Sequence, residues 1–457
     1  MIWCCLRNLI EKRGEDLINE NNRSRFYYDS IIELMPKLIN DFKDKWWETE
    51  DETYVFIKNY SLKEQREKEK QIKLFFEQIT DHFLNYPYDL EAQNIWNIEF
   101  AIILENGISI FECLGLDRII NLLDNDFLMS TKRFIRRAKK FDESIDNEAI
   151  FQALRNVWIV NIIQKIGKQK VATTPSVYGY SMLYPVTDNF LDDDDIDKIY
   201  KKQIMNRFKE RLEGNKLEAS DLYEEKVFEL VGSIEVEYKR DIYKNLYESL
   251  YAINNGQVKS LLQQKGDFGP YRKDILGISF EKGGSSVLAD AYLALGELHY
   301  DEILFYFGYG IILQLADDLQ DVTEDLNNKH MSIMSMQAGL YSLDKTVNQL
   351  INFTQNTLDE AKTFETEDQI EIKNIIFQSI QNLILFSAIN SIEYFSKEYK
   401  EKLLKSIPFR KSFIDKLAKK WDKKKVLIND RFEGLPVLDI IFEALEVFIE
   451  KKNKNNL

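Results

Sequence analysis

Hydrophobic residues recur at steps of three and four through nearly the whole chain. SIIELMPKLINDF, LKEQREKEKQIKLFFEQITDHFL, AIFQALRNVWIVNIIQKI, LYEEKVFELVGSIEVEY and DIYKNLYESLYAI all show it. That spacing puts the apolar side chains on one face of an α-helix. Alternation at period two, the mark of a half-buried strand, is scarce, and only 7 prolines and 18 glycines punctuate 457 residues. The pattern predicts an all-α protein. No self-similarity at periods of roughly 34 to 47 residues is visible, which argues against a solenoid. Breaks at NYPYDLE (85–91) and SIPF (406–409) divide the chain into flanking helices over 1–85, a core over 86–400 and a helical extension over 401–457.

At two places an apolar helical stretch turns acidic. In the first, YGYSMLYP (178–185) runs into VTDNFLDDDDIDK (186–198), with six aspartates between Asp188 and Asp197. Thr173, Thr174 and Pro175 read as a helix start, a hydroxyl cap followed by proline in the first turn. Asp188 and Asp192 are four apart and share a face. Acids at a helix C-terminus meet the negative end of its dipole, at a cost of roughly 0.3–1 kcal/mol each, so a nearby positive group is expected. A solvated acidic end is the plain alternative. An EF-hand loop counted from Asp192 would have Asp197 where glycine belongs and Gln203 where the closing glutamate belongs.

The second stretch is ILFYFGYGIILQLADDLQDVTEDLNNKH (303–330). Ile303, Phe307 and Ile311 lie at helical spacing, and Gln314, Asp317, Asp321 and Asp325 follow on neighbouring rows. Asp318 is turned about 100° aside. Carboxylates stacked on one stripe repel, and divalent cations relieve that repulsion; hard oxygen ligands suit Mg²⁺ or Mn²⁺. An exposed acidic face is again the simpler alternative, weakened because apolar LQLA leads directly into the acids.

Net charge −15 opposes an electrostatic grip on nucleic acid. Cys4, Cys5 and Cys113 make neither a disulfide framework nor a zinc spacing, and the N-terminal stretch is too short in its apolar part for a signal peptide. No run of eighteen apolar residues suggests a membrane span. The expectation is a cytoplasmic protein with no nucleic-acid partner and no transmembrane segment. His82, His299 and His330 never form an E-x-x-H pattern, so a di-iron bundle is unsupported.

Together the two stretches resemble those of the class I isoprenoid (terpenoid) synthases. LQLADDLQD (313–321) is similar to the second aspartate motif of the prenyl diphosphate synthases, FQ-x-x-DD-x-x-D. Asp317, Asp321 and Asp325 resemble the metal triad of terpene cyclases, and DNFLDD (188–193) resembles a D-x₃-D first motif. ISFEKGGSSVLADAYLALG (278–296) is similar to the helix that carries a diphosphate-binding lysine, here Lys282. The resemblance spans roughly Phe151 to Ser396. It implies a helical bundle around a central cavity, with Asp188 and Asp317 facing each other across it. It also implies a prenyl diphosphate substrate and three Mg²⁺ ions, which Mn²⁺ replaces, held by Asp188, Asp192, Asp317, Asp318, Asp321 and Asp325. Gln314, Lys282, Lys329 and Arg272 are implied at the diphosphate, and a homodimer is compatible with it. Asp193, Asp194 and Asp197 form a second-choice first motif.

The paired arginine and glycine after the first motif and the early GGK element of chain-elongating enzymes are not found, and neither is the C-terminal arginine-tyrosine pair of cyclases. The closest group is the atypical large-terpene synthases, which implies ionisation and cyclisation of one prenyl diphosphate. A prenyltransferase that elongates or joins chains is the enzymatic alternative, with Lys201, Lys202 and Arg207 as candidates for a second diphosphate. A non-enzymatic helical scaffold is the other. Phe151, Trp158, Tyr178, Tyr184, Phe307 and Tyr309 are candidate aromatic walls for a carbocation.

Overall fold

The computed structural model describes residues 30–52, 59–113, 122–143, 145, 147–193, 195–264, 274–432 and 437–455. Every regular element among them is helical, so the fold is all-α. The first helices are α1 (Ile31–Glu48), α2 (Leu62–Leu84), α3 (Leu90–Asn106), α4 (Ile108–Cys113), α5 (Asn125–Phe141) and α6 (Asn147–Ile166). Next come α7 (Pro175–Asp192), α8 (Lys198–Leu212), α9 (Leu222–Glu237), α10 (Lys244–Ser260), α11 (Ile275–Leu295) and α12 (Tyr300–Gln320). The last are α13 (Val322–Asn328), α14 (Ile333–Ala338), α15 (Asp344–Asp359), α16 (Glu367–Asn390), α17 (Lys397–Ser406), α18 (Lys411–Arg431) and α19 (Val437–Asn455).

Helix starts follow local chemistry. Thr174 caps α7 by accepting from the Val177 N–H, with Pro175 in the first turn. Asp274 caps α11 through the Gly277 N–H at 2.9 Å. At α12 the Glu302 carboxylate reaches back to the His299 N–H at 2.8 Å.

Helix α11 is the centre of the bundle. It packs against α12, α10, α6, α1 and α7, which explains why its sequence is apolar almost all round. Its approach to α12 is unusually close. A Cβ on Gly310 would stand 2.1 Å from the Gly283 carbonyl oxygen, so the two backbones touch where both residues lack side chains. Trp46, Phe280, Phe353, Phe42 and Phe307 interlock where α1, α11, α12 and α15 meet.

The chain's two ends are joined to each other. Helix α2 packs on α18 and α3 on α19, with Glu69 paired to Arg410 at 2.6 Å and Lys451 to Glu105 at 2.5 Å. Among the described residues one helix, α16, is long and apolar enough to cross a membrane by those measures alone. Its Ile372, Ile376, Ile380 and Ile384 are buried, and it packs on α12 and α15.

Candidate functional site

Three helices converge on the acidic stretches, and each contributes a stripe of residues four apart. On α7 the stripe is Tyr180, Tyr184 and Asp188; on α11 it is Lys282, Ser286 and Asp290; on α12 it is Tyr309, Leu313 and Asp317. Contacts bring the α7 and α11 stripes together. The Lys282 Nζ stands 3.2 Å from Asp188 Oδ1, and the Tyr180 hydroxyl donates to the Ser286 carbonyl at 3.2 Å. Between Ile275 and Leu293, α11 is buried except at Lys282 and Ser286. Tyr184, Leu313 and Gln314 are likewise half-buried in otherwise closed stretches. Asp188 and Lys282 are half-buried and Asp317 is exposed, so the ends of the three stripes reach solvent.

The electrostatics give the same arrangement. The Asp188 carboxylate, then burial, push the Tyr184 phenol up; Asp317 adds to this, while Lys282 and Arg155 oppose it. Asp317 is pushed up to about 6, mainly by surrounding protein and then by Asp321, with Lys282 and Arg155 offsetting part of it. Asp317 keeps solvent contact although protein crowds its carboxylate, as expected on the wall of a recess. Burial raises Asp321 too. Asp325 is pushed up to about 7, chiefly by burial, and accepts from the Ser332 hydroxyl at 2.8 Å. Asp318 turns inward. It accepts from the Gln314 amide at 2.8 Å and the Ser279 hydroxyl at 3.4 Å, and burial pushes it up to about 7.

The expected stripe of Asp317, Asp321 and Asp325 is divided. Asp321, at φ −94° and ψ 6°, ends α12 and opens α13. The hydrogen-bond ladder survives the bend, with the Asp321 N–H on the Asp317 carbonyl at 2.9 Å and the Asp325 N–H on the Asp321 carbonyl at 2.8 Å.

The positive group expected at the end of α7 is present twice. Lys282 meets Asp188, and buried Lys201 donates to the Leu191 carbonyl at 2.6 Å. Arg207 is held by Glu224 at 2.6 Å and 2.9 Å. Asp193 and Asp197 act as caps: Asp193 accepts from the Asp195 N–H at 2.9 Å, and Asp197 from the Ile199 N–H at 2.8 Å. Lys329 is exposed and ends α13 in the left-handed region at φ 54°. Arg272, Asp194 and the side chain of Asp192 lie outside the described residues.

Of the candidate aromatic walls, Tyr184 and Tyr309 belong to the stripes. Phe151 is 43% exposed, Tyr178 packs under the Arg137 guanidinium, the Trp158 N–H donates to Thr131, and Phe307 is closed in against Phe42. These four serve packing and surface instead.

One residue escaped the sequence reading. Arg155 on α6 acts on Tyr184, Asp317 and Asp321. Its signal was available, because it is the only charge between Glu148 and Lys165 in an apolar helix. His330 is half-buried, and burial and then Lys282 hold its imidazole below the usual range, with Asp188 opposing.

Asp188, Asp317, Asp321 and Asp325 carry the hard oxygen donors that suit a divalent cation. Among the described residues, no three Asp, Glu, His or Cys side chains stand close enough to hold one ion. At Asp188 the nearby counter-charge is Lys282. A small cavity of about 20 Å³ adjoins the α7 stripe, lined by Tyr180, Leu183, Tyr184, Thr187, Asn254 and Gln257. A larger one, about 480 Å³, lies between α1, α10 and α11 beside Met35, Ile39, Lys259 and Glu281. Compared with known proteins, the chain matches no family model, no curated protein and no solved structure.

Proposed function

We propose that this chain is a class I terpene synthase, which ionises and cyclises one prenyl diphosphate and releases inorganic diphosphate. The supporting observation is that Asp188 of the first acidic stretch and Asp317 of the second act on the same Tyr184, with Lys282 beside Asp188. Two stretches about 130 residues apart in sequence thus lie near one tyrosine. A scaffold with two independent acidic faces has no need of that convergence.

In this reading Asp188, Asp192, Asp317, Asp321 and Asp325 would hold Mg²⁺, and Asp318, engaged by Gln314, would brace the helix behind them. The ions, when bound, supply positive charge to the departing diphosphate. Lys282 and Arg155 stand on the same rim and add fixed positive charge where negative charge develops. The carbon chain would lie against Tyr184, whose ring face would stabilise an allylic cation.

Joining or elongating chains is the second reading, and it needs a site for a second diphosphate. Lys201 and Arg207 are engaged elsewhere, at the Leu191 carbonyl and at Glu224. Arg155 is the cation that would serve it. Incubating the purified protein with C10 to C35 prenyl diphosphates and Mg²⁺, with and without isopentenyl diphosphate, separates the two. The synthase reading expects metal-dependent diphosphate release from a single substrate, with a hydrocarbon or terpene alcohol in the extract. Release only with isopentenyl diphosphate would establish chain elongation.

A further inference from the structure

Helix α18 carries eight basic residues and three acidic ones, in a chain whose net charge is −15. It packs on α2, and two of its lysines are used there. Lys420 reaches Glu77 at 2.7 Å, and Lys424, one turn on, reaches Asp81 at 3.6 Å. Trp421 meets Phe76 edge-on, and Ile428 is buried. These contacts fix which side of α18 is left to solvent.

On the outward side Lys416, Lys419 and Lys423 follow one another at steps of three and four, and Val426 and Leu427 continue the row one turn further. The three lysines are exposed, as is Lys425 beside them. Among the described residues, none of these four lysines is paired with an acid. Asp415 is taken up by Lys411 at 3.5 Å, which leaves Asp422 and Asp430 as the opposing charges. Val426 is 59% exposed and Leu427 51%.

Lysines alone would make an ordinary solvated face. Two aliphatic side chains at the end of the same row would not, because water disfavours them. The combination suits a partner with anionic groups at its surface and an apolar layer just beneath. A nucleic-acid backbone would answer the lysines but offer Val426 and Leu427 nothing. At physiological ionic strength charges are screened beyond about 8 Å, so the acidic remainder of the chain does not cancel the patch.

We propose that the outward face of α18 docks the protein onto an anionic lipid bilayer. Lys416, Lys419, Lys423 and Lys425 lie among the head groups, and Val426 and Leu427 enter the shallow apolar layer. The association is peripheral and reversible, since the helix keeps its other face on α2. No residue of the recess takes part, so the docking holds or fails independently of the synthase reading.

The test is co-sedimentation of the full chain with vesicles of phosphatidylcholine, alone or with about one-third phosphatidylserine. The wild type should bind the mixed vesicles and not the neutral ones, and high salt should weaken binding. Lys416→Gln, Lys419→Gln, Lys423→Gln and Lys425→Gln together should weaken it by about a hundredfold or more. Val426→Ser with Leu427→Ser should weaken it by about tenfold and leave its salt dependence unchanged. All six positions are exposed, so both variants should melt like the wild type, which circular dichroism checks. Equal binding to neutral vesicles, binding to neither, or wild-type binding by the four-lysine variant overturns the proposal. A duplex DNA or RNA fragment that binds more tightly than the mixed vesicles, through the same four lysines, also overturns it.

Discussion

Lys282 and Asp188 lie 3.2 Å apart, on helices separated by more than eighty residues of chain, and both side chains are mostly shielded from water. The pair neutralises a carboxylate that ends a helix, where the dipole disfavours it. It also places an ammonium group on the rim that Asp317 shares. If cations bind Asp188, the ammonium of Lys282 would turn toward an anionic ligand on the same rim.

Replacing Lys282 by methionine should therefore lower diphosphate release by about a hundredfold or more, the usual loss when one preorganised positive group is removed. Stability should fall by about 1–3 kcal/mol, because Asp188 loses its charged partner. Steady-state release assays and urea unfolding measure the two effects. Wild-type turnover in this variant would remove Lys282 from the site.

Asp317 at about 6, and Asp318 and Asp325 at about 7, make folding depend on pH in a defined direction. In the unfolded chain these groups lose protons near pH ~3.9. Between there and neutrality the folded protein holds more protons, so stability falls as pH rises and levels off above about 7. The metal-free protein should melt higher at pH 5.5 than at pH 7.5, and Mg²⁺ at pH 7.5 should restore the difference. A flat profile that ignores Mg²⁺ would contradict the site.

Asp321→Asn and Asp192→Asn should each abolish turnover while the melting temperature of the metal-free protein stays level or rises, since one repelled carboxylate is gone. Calorimetry beside a release assay reads both. Loss of folding in both variants would mean that the aspartates are structural.

Gly310→Val should destabilise the protein by about 3 kcal/mol or more, because a Cβ there meets the Gly283 carbonyl and the new branches have nowhere to go. The same separation of α11 from α12 should move Lys282 relative to Asp317. Residual activity in any folded fraction should drop further than in an equally destabilised variant of the α2–α18 contact, such as Glu69→Gln.

Lys201→Met should cost about 1–3 kcal/mol, since it removes the charged donor from the Leu191 carbonyl at the end of α7 and leaves only the Gln264 amide at 3.2 Å. Its effect on turnover should follow the folded fraction alone. A selective loss of activity at full folding would return Lys201 to the list of diphosphate ligands.

Much of the architecture was legible in the residues, because helix formation is local. Apolar spacing at three and four, the Thr174–Pro175 start and the scarcity of glycine and proline announced an all-α chain. The conversion of the stripe ahead of Asp317 from apolar to acidic marked where that helix leaves the core. Arg155 was readable as a lone charge in an apolar helix, but a lone charge has several ordinary explanations, and no spacing rule ties it to an aspartate 162 residues away.

What periodicity settled is which face of each helix is buried. It could not settle which buried faces meet. That was decided by the contact of Gly283 with Gly310, which sets α11 against α12 at backbone distance, and by the reach of Lys282 to Asp188. Nor could it tell Asp188, which pairs with Lys282, from Asp193 and Asp197, which accept backbone N–H groups at helix ends, since all three belong to one acidic run. Asp290 read as one more polar residue within a helix. Its unpartnered oxygen exists only because α6, α7 and α12 close around it. Burial, pairing and proton affinity arise from contacts between distant segments, and local sequence does not encode them.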